Sequence, residues 1–128
     1  MATRGGEHHD PDLSPYVEGW QRRVRVRHER EATRREYVHA RLPEIVHVLA
    51  TCFGARRIVL FGSFARGDAT LQSDVDLLVE GIDPSRLMEA SAAADRILAQ
   101  TRVDLVPIER ARPEVRSRAE VEGHLLHG

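Results

Sequence analysis

Two carboxylates stand one residue apart at Asp74 and Asp76, heading the apolar run DVDLLV, and ten residues separate them from a Gly-Ser pair, Gly62-Ser63. In an extended strand, residues i and i+2 face the same way. Asp74 and Asp76 therefore project from one face, with Val75 and Leu77 on the other. Two carboxylates that close repel unless one takes a proton or a cation lies between them. A hard divalent ion such as Mg²⁺ resolves the conflict, because it takes carboxylate oxygens and keeps water and phosphate in its other positions. A Gly-Ser turn leading into a helical turn presents unpaired backbone amides, and the serine hydroxyl adds a donor. Gly62 and Ser63 thus suit a phosphate oxygen. Arg66 either neutralises phosphate charge or forms a surface ion pair with Asp68. A phosphate-cradling turn beside paired carboxylates is a site for nucleoside triphosphate chemistry. Asp104 is a third candidate: it interrupts the apolar run RVDLVP over residues 102–107. A carboxylate within a buried strand needs a cation or hydrogen bonds, whereas exposure at a strand edge is the plain alternative.

The elements that must position these groups read as an alternation of strands and helices. Arg57–Phe61 is short, β-branched or bulky, and stops at Gly62, which predicts a buried strand. A helical turn follows at residues 63–66, then a polar loop from Asp68 to Ser73, then the strand that opens with Asp74 and ends at Glu80-Gly81. Asp83-Pro84 predicts a helix start, with Asp83 as N-cap and Pro84 at the first helical position. That helix runs to about Gln100. Leu87, Met88, Ala94, Ile97 and Leu98 form its apolar face, and Glu89 and Asp95 are solvated. Arg102–Pro107 is the third strand, so strand, helix and strand make a crossover connection. Glu114–Leu126 reads as a final helix, with Pro113 near its start.

Gly62-Ser63 followed at this spacing by Asp74-Val75-Asp76, within LFGSFARG and SDVDLLV, resembles the signature of the DNA polymerase beta-type nucleotidyltransferases, and in particular the small stand-alone minimal nucleotidyltransferases. The resemblance runs from about Leu42 to the C-terminus. It implies an α/β (α+β) core, a small mixed sheet flanked by helices, with an N-terminal helical extension. It implies that Asp104 is the third carboxylate of the site, in its VDLV context. It further implies transfer of AMP from ATP to an acceptor hydroxyl. Asp74 and Asp76 would hold Mg²⁺ on the triphosphate, Asp104 would take a second ion and help deprotonate the acceptor, and Gly62 and Ser63 would hold the phosphates; paired ions of this kind stand about 3.5–4 Å apart. Small members of this family are similar to antitoxins paired with a HEPN-type ribonuclease toxin, which makes a tyrosine hydroxyl of that partner the implied acceptor. Two other readings stay open: a binding module that neutralises its partner by contact, and a small-molecule nucleotidyltransferase working as an oligomer. The sequence departs from the family pattern at Ala119 and His127, where a larger aliphatic and an aromatic residue are usual, and this bears on the packing of the last helix rather than on the chemistry.

The 128 residues suffice for one domain with a modest core. The division expected is a disordered tail over residues 1–12, a helical extension over 13–41 and the nucleotidyltransferase domain over 42–128. The formal net charge of −1 supplies no global basic field to hold nucleic acid. All 19 basic residues are arginine, which excludes lysine-based chemistry, including a P-loop lysine. Cys52 is the only cysteine, so neither an intramolecular disulfide nor a cysteine zinc site can form. No segment has the form of a signal peptide or of a membrane span, and a cytoplasmic protein is expected. In the tail, the pair His8-His9 reads as solvated rather than as metal ligands. From Leu13 to Arg41 the chain is charged and helical in character, with Ser14 as N-cap and Pro15 at the first helical position. Its sparse apolar seam includes Tyr16, Trp20 and Val24. Arginines crowd this segment, but interleaved acids favour a solvated helix over an RNA-binding stripe. Pro43 starts or kinks the next helix, whose face carries Leu42, Ile45, Val46, Leu49 and Phe53 before the stop at Gly54. His39 and His47 read as surface or boundary residues.

Overall fold

The structure, a computed structural model, describes residues 12–128; the tail ahead of them, with His8 and His9, lies outside the described residues. The chain falls into two compact units, Met1–Arg30 and Glu31–Gly128.

Helix α1 spans Ser14–Phe53 without interruption, Pro43 included, where the sequence predicts a boundary. Proline at this position removes one intrahelical hydrogen bond. The loss is met by packing on both sides of it, because Val38, Leu42, Ile45 and Leu49 are all buried. The cap also differs from expectation. The Asp12 carboxylate accepts the Ser14 backbone N–H at 3.0 Å, so Ser14 already lies in the helix and Asp12 does the capping. That bond holds the Asp12 carboxyl below its ordinary value of 3.8. In the first unit Tyr16 and Trp20 are exposed, as a seam on a solvated helix requires. Among the described residues no helix is long and apolar enough to cross a membrane.

The second unit is built on a four-stranded mixed sheet. Its strands are β1 (Arg57–Phe61), β2 (Val75–Glu80), β3 (Val103–Pro107) and β4 (His124–His127), in the order β3-β2-β1-β4. β1 runs antiparallel to both β2 and β4, while β2 and β3 are parallel and joined by helix α3 (Leu87–Leu98), the expected crossover. A short helical turn, α2 (Ser63–Arg66), follows β1, and helix α4 (Pro113–Glu122) precedes β4. One face of the sheet carries Ile58, Leu60, Val75, Leu77, Val79, Val103 and Leu105, packed in the main core with Val38, Leu42, Ile45 and Leu49 of α1 and Ala90, Ala94 and Leu98 of α3. The opposite face carries a smaller cluster, Val59, Phe61 and Leu78 with Ala119 of α4. Ala119 is buried there.

Three other local expectations are corrected. The C-terminal helix stops at Glu122, and His124–His127 is an edge strand rather than a last helical turn. Gly123 permits the switch, since a Cβ there would overlap Ala119 O and approach Val59 Cγ1, and the open edge of β1 offers the closing segment a hydrogen-bonding ladder. Met88 is 87% exposed and is no part of the α3 apolar face. Asp95 is not merely solvated: its carboxylate accepts the Val103 N–H at 2.7 Å and ties α3 to the start of β3. The Asp83 cap forms as expected, accepting from Ser85 N–H at 2.9 Å, although the turn it opens, Pro84–Arg86, is a 3₁₀ turn that leads into α3.

Candidate active site

The acidic residues lie at one end of the sheet face that carries the smaller cluster. Asp76 is the second residue of β2; it pairs with Phe61 on one side and with Asp104 on the other. Directly paired residues in neighbouring strands share a face and stand about 4.8 Å apart along the hydrogen-bonding direction. Asp104 is therefore not turned away from Asp76. Asp74 precedes β2 instead of belonging to it, and is exposed, as is Asp104, while Asp76 is half-buried.

This placement has an electrostatic signature. The Asp76 carboxyl is pushed up from 3.8 to about 6, chiefly by burial, then by the charges of Asp104 and Asp74, with Arg118 and Arg66 opposing. A carboxylate short of solvent and flanked by two like charges is one that binds a cation readily. The oxygen-only donor set is the kind that Mg²⁺ takes, commonly one or two carboxylates completed by substrate phosphates. Among the described residues no three acidic, histidine or cysteine side chains are gathered into a ready-made cage. The trio shares a neighbourhood at one end of β2 and β3.

Gly62 forms the floor of the turn. Its φ of 78° and ψ of −158° belong to a region open essentially to glycine alone. A Cβ at this position would also overlap Asp76 Oδ2. The absent side chain is what lets the turn and the central carboxylate adjoin. Ala65 and Arg66 both return their N–H groups to Gly62 O, at 3.0 Å each. By helix geometry the amides of Ser63 and Phe64 have no partner within that turn. Ser63 is partly accessible, Phe64 and Ala65 anchor the turn in the main core, and Gly67 ends it in the left-handed conformation.

Arg66 has more partners than the sequence suggests. Its Nε donates to Asp68 at 3.2 Å, and its Nη1 donates to both carboxylate oxygens of Glu122, at 3.2 and 2.9 Å. These bonds raise its affinity for its proton. Glu122 and Arg118 stand four apart on α4, so both fall on one side of that helix, the side that reaches Arg66 and the field of Asp76. Sequence reasoning gives neither of them a role in the site. The only available signal is their i,i+4 spacing, which does not say what the helix faces. His39 likewise finds a structural partner, Phe64 O at 3.1 Å from Nε2.

The family model for the nucleotidyltransferase domain matches residues 42–126. The chain belongs to that family, with the fold of the minimal members. It is similar to the solved structure of a candidate minimal nucleotidyltransferase, with 30% identity, a TM-score of 0.61, and coverage of 70% of this chain and 93% of that one. It is also similar to a chain of a toxin–antitoxin complex, a mutant form of MntA–HpeT, with 27% identity, a TM-score of 0.56, and coverage of 66% and 70%. A candidate protein adenylyltransferase of Methanocaldococcus jannaschii is 45% identical over 42 residues, which span 31% of this chain and 42% of that protein. The match thus covers under half the length of that curated relative.

Proposed function

We propose that this nucleotidyltransferase moves AMP from ATP to a hydroxyl of a partner protein, and that the partner is a HEPN-type ribonuclease toxin which the chain neutralises as its antitoxin. The carrying observation is the position of Asp76, paired with Asp104, close to Asp74, and adjoining a glycine turn that only a missing side chain makes possible. The likeness to a toxin–antitoxin chain and to a candidate protein adenylyltransferase supports a protein as acceptor. A cytoplasmic location, where ATP is supplied, is part of this proposal.

Asp74 and Asp76 would hold Mg²⁺ together with the nucleotide, and Asp104 a second ion. When bound, the metal neutralises phosphate charge and lowers the cost of charge building on the attacking and leaving oxygens. Gly62 and Ser63 would receive the β- and γ-phosphates through backbone amides and the serine hydroxyl. The acceptor hydroxyl oxygen forms a bond to the α-phosphorus as the bond from that phosphorus to the bridging oxygen breaks. The hydroxyl proton passes to the Asp104 carboxylate, and pyrophosphate leaves. Arg118, whose charge acts on Asp76, would offset charge on the phosphates. Arg66, engaged by Glu122 and Asp68, is available to phosphate by exchanging one of these exposed contacts.

The test is incubation with ATP labelled at the α-phosphate and Mg²⁺, with and without the product of the neighbouring reading frame. Label on that product, lost in Asp76→Ala, is the expected result. A stable unlabelled complex would replace catalysis with neutralisation by contact, and label on an aminoglycoside or nucleotide would replace the protein acceptor with a small molecule.

A further inference from the structure

We propose that Arg34 is a positioning residue of the site, holding the segments that carry the acidic side chains at a fixed separation; the inference rests on the metal-binding reading above. Arg34 lies on α1, ahead of the stretch that the family model covers. Its guanidinium donates three ways: Nε to Thr101 Oγ1 at 3.1 Å, Nη1 to Thr70 O at 2.6 Å and Nη2 to Ser73 O at 2.7 Å. Ser73 immediately precedes Asp74. Thr101, buried at 4% exposure, stands at the entry to β3 and so to Asp104. The same guanidinium lies over the Phe64 ring, 5.8 Å from its centroid, and Phe64 adjoins Ser63 in the phosphate turn. One planar side chain thus touches all three segments that supply the site. Arg35 adds a bond from Nη1 to Ala69 O at 2.8 Å in the same loop.

The need for such a device follows from the topology. Asp76 and Asp104 are oriented by the β2–β3 ladder, but Asp74 lies before β2 begins. Its approach is set by the irregular loop ahead of it, where Thr70 and Ser73 close a small turn through Thr70 N–H to Ser73 Oγ at 2.9 Å and Ser73 N–H to Thr70 O at 3.2 Å. A rigid fork with donors at fixed angles can hold that turn against Thr101 in one arrangement. The ammonium of a lysine, a point charge, could not span the three acceptors.

Mn²⁺ alone is the probe, titrated into the full purified chain and followed by the paramagnetic resonance signal of the free ion. Arg34→Met is expected to weaken binding about tenfold, in the range seen when groups that orient metal ligands are removed. The sign is diagnostic: loss of a positive charge near an acidic site would by Coulomb attraction alone tighten Mn²⁺ binding. Arg41→Met is the control, since Arg41 lies on the same helix but makes its hydrogen bond to Ile97 O, away from the acidic segments; binding there should be unchanged. Thr101→Val removes only the Nε acceptor and should weaken binding in the same direction by a smaller factor. It carries the test if Arg34→Met fails to fold by circular dichroism. Free guanidinium ion at non-denaturing concentration should restore part of the affinity of Arg34→Met and leave wild type unaltered. Wild-type affinity in both variants, or equal weakening in Arg41→Met, would overturn the role of Arg34 and leave the proposed function standing. Absence of Mn²⁺ binding by wild type, with and without a nonhydrolysable ATP analogue, would remove the metal-binding reading and this inference with it.

Discussion

Replacing Asp76 by asparagine should abolish transfer and, without metal, make the protein more stable at neutral pH. Burial and the charges of Asp104 and Asp74 raise the Asp76 carboxyl from 3.8 to about 6. At full value that difference is about 3 kcal/mol, since each tenfold change in proton affinity carries about 1.4 kcal/mol. Asp76 is only half-buried, so solvent screening reduces the expectation to about 1 kcal/mol. The sign follows from linkage. The folded state binds the proton more tightly than the unfolded chain, so the contribution of the protonated group to stability is complete below pH 3.8 and is lost as pH rises through about 6. The asparagine variant should therefore match wild type near pH 4, gain on it between pH 4 and 6, and hold a lead of about 1 kcal/mol above pH 6, or about 3–5 °C in Tm for a domain of this size. Urea melts in chelator at three pH values measure this directly. Mg²⁺ with a nonhydrolysable ATP analogue should reverse the order, stabilising wild type and leaving the variant unmoved. A variant less stable than wild type at pH 7.5 in chelator, or a difference that does not change with pH, would refute the placement of Asp76 among like charges.

Gly62→Ala should reduce transfer at least 100-fold and cost about 1–3 kcal/mol, because it combines a strained backbone conformation with overlap on Asp76; steady-state kinetics beside a urea melt would check both. Ser63→Ala should raise the nucleotide requirement with little effect on stability, and calorimetry showing unchanged ATP binding would remove Ser63 from the site. Gly123→Ala should lift β4 from β1, since the new Cβ meets Ala119 O and stands 2.7 Å from Val59 Cγ1. The cost is about 1–3 kcal/mol, in the range of overpacking, and amide exchange should accelerate first at His124–His127. Asp95→Ala leaves the Val103 N–H without its acceptor and should cost about 1–2 kcal/mol by urea melt, as a part-buried donor loses its partner.

Sequence and structure agree wherever a requirement is local. The glycine at position 62 and the crossover from β2 through α3 to β3 follow from spacing and residue type, and they account for most of the sheet and for the family, whereas Asp74, read as the head of a strand, lies in the loop before β2. The disagreements share a cause. Pro43 reads as a boundary because propensity sees the lost hydrogen bond and not the residues packed on either side of it. Met88 reads as core and Asp95 as solvated because periodicity gives a face only to within a residue or so, and the neighbour decides the rest.

What the amino-acid order determined by itself is the chemistry on offer: oxygen ligands for a hard cation, a turn able to receive phosphate, and no lysine, disulfide or cysteine metal site to support another reaction. Only the tertiary structure decided which distant groups attend that chemistry. Glu122 meets Arg66 across 56 residues, Arg34 reaches Ser73 across 39 and Thr101 across 67, and the last residues become a strand because β1 has an edge left to fill. Arginine and glutamate have the same local preferences whether they face water or a partner far along the chain. Their roles appear only once the hydrophobic faces have packed and brought those partners within hydrogen-bonding distance.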